Sequence, residues 1–167
     1  VRPEVVYQNL PFDLLRGTVG LFMIELVQKT VKESEENTPL FEFIYSNFSQ
    51  LDQSSHPVHN WHLSFALHLA GFLGFAPTGL KSEESPYFDL QEGGFTGPDK
   101  PALHGLDAEL SALWSAFLEN DPEESHQVDC TRAQRQALAE HLVNFFRLHV
   151  EGFSGLNTLP VLRSVMR

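Results

Sequence analysis

The sequence predicts a mainly α-helical fold with one small hairpin insertion. Three observations predict it. Apolar residues recur at three- and four-residue spacing over most of the chain. Gly, Pro, Ser and acidic residues gather into one long irregular region between Pro77 and Gly105. Inside that region, Tyr87-Phe88-Asp89-Leu90 and Gly94-Phe95 have the composition of two short strands joined by a glycine turn. All 167 residues are read as one helical domain, with the hairpin insertion spanning about 77–105.

Each element has its own signal. In LLRGTVGLFMIELVQKTV, Leu15, Val19, Phe22, Met23 and Leu26 form a buried stripe, with Asp13 or Asn9 placed to cap its start. The acidic run ESEEN, with Glu33, Glu35 and Glu36, breaks the pattern as a solvated linker. Thr38 as N-cap and Pro39 at the first helical position restart it. Leu40, Phe41, Ile44, Phe48 and Leu51 then line the second helix. A third, from Trp61 to about Leu73, is apolar on nearly every side and is therefore the central one. Helix resumes over about Leu106–Leu118. Thr131 and Gln134 form a capping box that opens the best-signalled helix, which stops near Gly152. TLPVLRSVMR is a short closing helix with Thr158 as its cap.

Composition narrows the function. A chain of this length buries roughly two-thirds of its unfolded surface, and 42 % hydrophobic residues with fourteen Phe supply the core. Eleven basic against 22 acidic residues give a net charge of −11. Polyanions are held by clustered Lys and Arg that release counterions, so the chain by itself is not read as a DNA-binding surface. Cys130, the only cysteine, excludes an internal disulfide and a thiolate zinc cluster and fits a reducing, cytoplasmic setting. Its surroundings hold no motif for a nucleophile. No segment reaches the roughly 18 apolar residues of a membrane span. The chain opens Val1-Arg2-Pro3 without Met, and an upstream part is expected.

Few residues invite catalysis. In HPVHNWH, His56, His59 and His62 lie three apart, and two imidazoles on one helical face can hold a metal. Pro57 separates the first two, however, and no acidic partner is nearby, so solvated or capping histidines are expected. His68 reads as a core or boundary histidine. Gly93-Gly94 with Gly97 lacks the Lys-Ser/Thr pair of a phosphate cradle, and no nucleophile elbow is present. A non-enzymatic domain without cofactor is expected. The alternative from another class is a small metal-dependent enzyme built on His56, His59 and His62.

LGFAP (73–77), followed by FDLQEGGFTGPDK, resembles the middle of the C-terminal domain of RecO, the bacterial recombination-repair mediator. Family members read LGFAP-E-L, then a CxxCG pair, then F-[SD]-x-x-x-GG-x-x-CPxC. Phe88 to Gly94 and Pro98 match, while Gly97 and Lys100 stand where the last two cysteines belong and TGLKSEES has no counterpart of the first pair. The turn therefore resembles a zinc ribbon without zinc, held by Tyr87, Phe88, Leu90 and Phe95 packing inward. LFMIELVQKTV, PLFEFIYSNFSQLD and the ending LPVLRSV resemble the family's first and last helices.

The resemblance implies the rest. RecO proteins begin with an OB-fold that binds single strands, and that part is missing here, so DNA would be held mainly outside this chain. The family works at the cytoplasmic nucleoid with RecR and single-stranded-DNA-binding protein (SSB), annealing strands and helping to load RecA. The helical domain receives the acidic, aromatic-ended tail of SSB, which needs an apolar pocket and a cation. Arg16, Lys29 and Lys32 on the first helix, and Arg132, Arg135 and Arg147 on the long one, are the candidate cations.

Overall fold

Asp13 starts the first helix by accepting a hydrogen bond from Arg16 N at 3.0 Å, so of the two candidate caps Asp13 is the one used. The structure, a computed structural model, describes residues 5–32, 36–99 and 103–166. Helix α1 (Leu14–Thr30) buries Val19, Phe22, Met23 and Leu26 as its periodicity requires. Helix α2 (Thr38–Gln53) begins one residue before the expected point. Asn37, not Thr38, is its cap and accepts from Leu40 N at 3.1 Å. Asn is as good a cap as Thr or better, and the shift leaves Pro39 in the first turn, where its missing N–H costs nothing.

Helix α3 (Trp61–Phe72) is the centre. Every residue from Trp61 to Leu67 is buried, as are Leu69 and Ala70. Around it pack α1, α2, α4 (Ala108–Glu119), α5 (Arg132–His149) and the 3-10 turn Pro122–Gln127. A central apolar helix leaves few places for a polar atom. Ser64, 0 % exposed, uses its hydroxyl to hold the end of α4, donating to Asn120 O at 2.5 Å.

The hairpin forms where the sequence places it. Strands β1 (Tyr87–Asp89) and β2 (Gly94–Thr96) pair antiparallel with Phe88 opposite Phe95. Both outer edges are covered: Thr78 N donates to Gly93 O at 2.7 Å, and Leu106 N donates to Phe88 O at 2.8 Å. Gly93 has φ +71°, a backbone state that favours glycine. Gly94 serves a different need, since a Cβ there would stand 2.8 Å from Thr78 Oγ1. Phe88, fully buried, stacks on Trp114 of α4 at 4.8 Å and meets Phe145 of α5 edge-on at 5.8 Å. Leu90 is buried; Phe95 and Tyr87 are half-buried. At Gly97 a Cβ would lie 2.9 Å from Glu84 O, so a cysteine would not fit there without moving backbone. Lys100 lies outside the described residues.

Helix α5 opens with the expected capping box, Thr131 N donating to Gln134 Oε1 at 2.8 Å and Gln134 N to Thr131 Oγ1 at 3.2 Å. Helix α6 (Thr158–Val165) departs from expectation. Thr158 is its first residue, and Asn157, at the cap position, makes no side-chain cap bond. The carboxylate of Glu25 on α1 replaces the cap, accepting from Asn157 N and Thr158 N, both at 2.8 Å, and from Thr158 Oγ1 at 2.7 Å. Three donors on one carboxylate outweigh its partial burial and lower its pKa to about 2.

Candidate partner-docking site

The capping box fixes the start of α5 and sets Arg132 and Arg135 one turn apart on the same helix face. Arg135 is half-buried. Its Nε donates to Asn60 Oδ1 at 2.8 Å and its Nη2 to Cys130 O at 3.1 Å. Asn60 is 0 % exposed and in turn donates to Ser125 O at 3.0 Å, so Arg135 is tied to the root of α3. Arg132 is exposed. Helix α6 adds a third guanidinium, Arg163, paired with Glu140 of α5. Between these arginines lies a narrow slot with His62 at its base and Ala139, Leu162 and Met166 along its apolar wall; ≈10 Å³ of it is empty.

The electrostatics of the slot follow from burial. His62 is 1 % exposed, its ring edge-on to Phe22 at 5.5 Å, and its Nδ1 has no hydrogen-bond partner. Burial, then the charges of Arg135 and His59, depress its pKa to about 3, so it is neutral at physiological pH. Burial also lowers the pKa of Arg135. The Cys130 thiol is pushed up, burial outweighing the opposing pull of Arg135, which leaves it a poor nucleophile. The arrangement suits a carboxylate beside an apolar group: guanidiniums supply fork-like donors, and the wall supplies contact area.

The other expected cations lie elsewhere. Arg16 donates to Leu51 O at 2.6 Å and Ser54 O at 2.7 Å, closing the end of α2. Lys29 donates to Gly155 O at 2.8 Å and pairs with Glu25 at 3.1 Å. Arg147 donates to Asn144 Oδ1 at 2.9 Å and to Ser154 O at 3.3 Å. Lys32 borders a groove of ≈520 Å³ that contains Phe72 and Phe75 but also Glu36 and Glu151, so its rim is acidic as well as basic. A further groove of ≈370 Å³, lined by Leu10, Leu21, Ile24 and Phe48, contains no cation. Sequence reasoning singles out neither Arg163 nor Met166, and takes up His62 only as a possible metal ligand. The signal was the stripe Leu159, Leu162, Met166 with Arg163 beside it on the closing helix.

The histidine triplet does not assemble. His62 turns into the core, whereas His56 stacks on His126 at 4.1 Å. The loop containing Pro57 and the first turn of α3 point the rings in different directions, so equal spacing does not give one face. Among the described residues no three His, Cys, Asp or Glu side chains gather where they could hold a metal ion. His68 is a boundary histidine whose Nδ1 donates to Ser64 O at 2.7 Å. No helix among the described residues is long and apolar enough to cross a membrane.

Residues 11–158 match the family described as Recombination protein O C terminal. The chain belongs to that family. Its relatives include the DNA repair protein RecO of Azobacteroides pseudotrichonymphae, 28 % identical over 98 % of this chain and 66 % of the relative. That of Flavobacterium johnsoniae is 28 % identical over 99 % and 68 %, and that of Christiangramia forsetii 29 % over 95 % and 65 %. The chain thus spans about two-thirds of the length of these RecO proteins. No solved structure matches it. The helices and the hairpin are those expected of a RecO C-terminal domain.

Proposed function

We propose that this chain is the protein-docking part of a recombinational DNA-repair mediator, and that its slot between α5 and α6 receives the acidic, aromatic-ended tail of SSB. It acts by binding and without a cofactor, at the cytoplasmic nucleoid. Strand annealing, RecA loading and contact with RecR belong to the longer protein, in which an OB-fold outside this chain holds the DNA. The observation that carries the proposal is the gathering of Arg132, Arg135 and Arg163 around one apolar slot on a chain of net charge −11. An acidic peptide is repelled by the molecule as a whole and attracted only where guanidiniums cluster. Arg16, Lys29 and Arg147 are weaker candidates because none of them lines this slot or shares an apolar recess with a second arginine. Lys32 is weaker because two carboxylates share its groove.

Immobilised chain is expected to retain full-length SSB and to release it when the last residues of SSB are removed. Arg132→Ala, which breaks none of the hydrogen bonds described above, is expected to reduce retention. Equal retention of tail-less SSB would show that the tail is not what docks.

A further inference from the structure

Between Leu14 and Ile24, helix α1 carries one charge, Arg16, whose guanidinium is turned to the end of α2. A helix that is apolar all round belongs inside a molecule. One side of α1 does pack on α3 and α6. The other presents Leu14, Leu21 and Ile24, which are 73 %, 56 % and 42 % exposed, with Phe12 beside them at 86 %. Two adjoining hollows of ≈370 and ≈450 Å³ follow this face and share Leu10, Pro11, Gly17 and Leu21. Asp13 is the one charged side chain among the described residues that line them, and it is paired with Arg16 at 3.4 Å. A continuous apolar face of this kind marks a contact surface, and it offers nothing to a phosphate or an acidic peptide.

The other wall of the hollows is the segment that leads into α1. It lies across the helix at its glycines: a Cβ on Gly17 would stand 3.0 Å from Leu10 O, and one on Gly20 3.3 Å from Leu10 Cδ2. Asp52 of α2, 3 % exposed, holds the segment in place. Its carboxylate accepts from Gln8 N at 3.1 Å and from Asn9 N and Leu10 N, both at 2.8 Å. Asn9 Nδ2 donates back to Asp52 O at 2.7 Å. Charge-assisted bonds of this sort are the strong ones, so the polypeptide enters at a fixed point on the edge of the apolar face.

The family matched by residues 11–158 is the C-terminal part of its protein. The relatives extend for about a third of their length beyond what this chain covers, and that third therefore lies ahead of the matched part. We propose that the outer face of α1, from Phe12 to Ile24, is the seat of this preceding third, and that Asp52 fixes the point from which it folds back. A part joined through a few residues to Gln8 meets the face at an effective concentration that a separate molecule does not reach. A second copy of this chain fits less well, because two molecules of net charge −11 repel each other.

The test compares this chain with the longer protein that carries the preceding third, by hydroxyl-radical labelling read residue by residue. Labelling of Phe12, Leu14 and Leu21 is expected to fall severalfold in the longer protein. Leu14→Asp and Leu21→Glu are expected to leave the melting temperature of this chain unchanged and to restore the labelling of Phe12 in the longer protein. Should either variant misfold, the comparison of the two unsubstituted proteins still decides. Equal labelling in both would overturn the proposal. So would labelling of this chain that falls as its concentration rises while it sediments as a dimer, since a second copy would then be the occupant.

Discussion

His62 is an ionisable side chain in a place built for hydrocarbon, and its burial has a measurable consequence. Its pKa in the folded chain is about 3, against an ordinary value of 6.5. The unfolded chain therefore takes up this proton first as the pH falls. The contribution of His62 to stability is intact above pH 6.5 and is lost progressively towards pH 3. At pH 5 the loss is about 2 kcal/mol, from roughly 1.4 kcal/mol per pH unit below 6.5. His62→Leu, of similar size and with nothing to protonate, is expected to remove that share of the slope. Urea midpoints of both proteins at pH 7 and pH 5 check this. His59 and His141, also lowered by burial, bend both curves in the same direction, so the difference between the two proteins is the quantity to read. A difference unchanged by pH would mean that His62 is solvated.

Elements succeed or fail by what anchors their ends. The β1–β2 hairpin is anchored by Phe88 between Trp114 and Phe145. Phe88→Ala is expected to destabilise the chain by about 3–5 kcal/mol, whereas a chelator is expected to leave the melting temperature unchanged. A fall of several degrees with chelator would point to a metal in the hairpin. Helix α6 is anchored by Glu25, and Glu25→Ala, which removes a charged acceptor from three donors, is expected to cost about 2 kcal/mol or more. Because the folded pKa of Glu25 is lowered to about 2 from 4.5, its contribution is present above pH 4.5 and lost as the pH falls towards 2. Loss of exchange protection confined to α6 in the Glu25 variant would separate this from general unfolding. These two elements also mark the limits of reading the sequence. The helical stripes, the Thr131–Gln134 box and the glycine turn are local patterns with local causes, so they were legible. Glu25 meets Thr158 across 133 positions, and Arg163 joins Arg132 only because α6 packs on α1 and so comes to lie across the slot from α5. No spacing rule reaches that far. The equal spacing of His56, His59 and His62 does not put them on one face, since one ring belongs to a core and the others to a loop; what the spacing could not show is that His62 is buried rather than solvated or capping.

On the scale of the whole molecule, charge separates two kinds of partner. A chain of net charge −11 repels the phosphates of single-stranded DNA, and weak binding at physiological salt is expected. The same excess of carboxylates makes a slot with three guanidiniums distinctive to an acidic peptide. In the proposed docking role a central helix α3 holds His62 at the base of the slot, α5 supplies two of the arginines and Ala139, and α6 supplies Arg163, Leu162 and Met166. Fluorescence anisotropy of a labelled SSB tail peptide, titrated with the chain at low and at physiological salt, tests this most directly. A micromolar dissociation constant, roughly −8 kcal/mol, weakened about tenfold (about 1.4 kcal/mol) by Arg132→Ala and by added salt, is the predicted result. No binding at low salt, or binding indifferent to both Arg132 and Arg163, would contradict it.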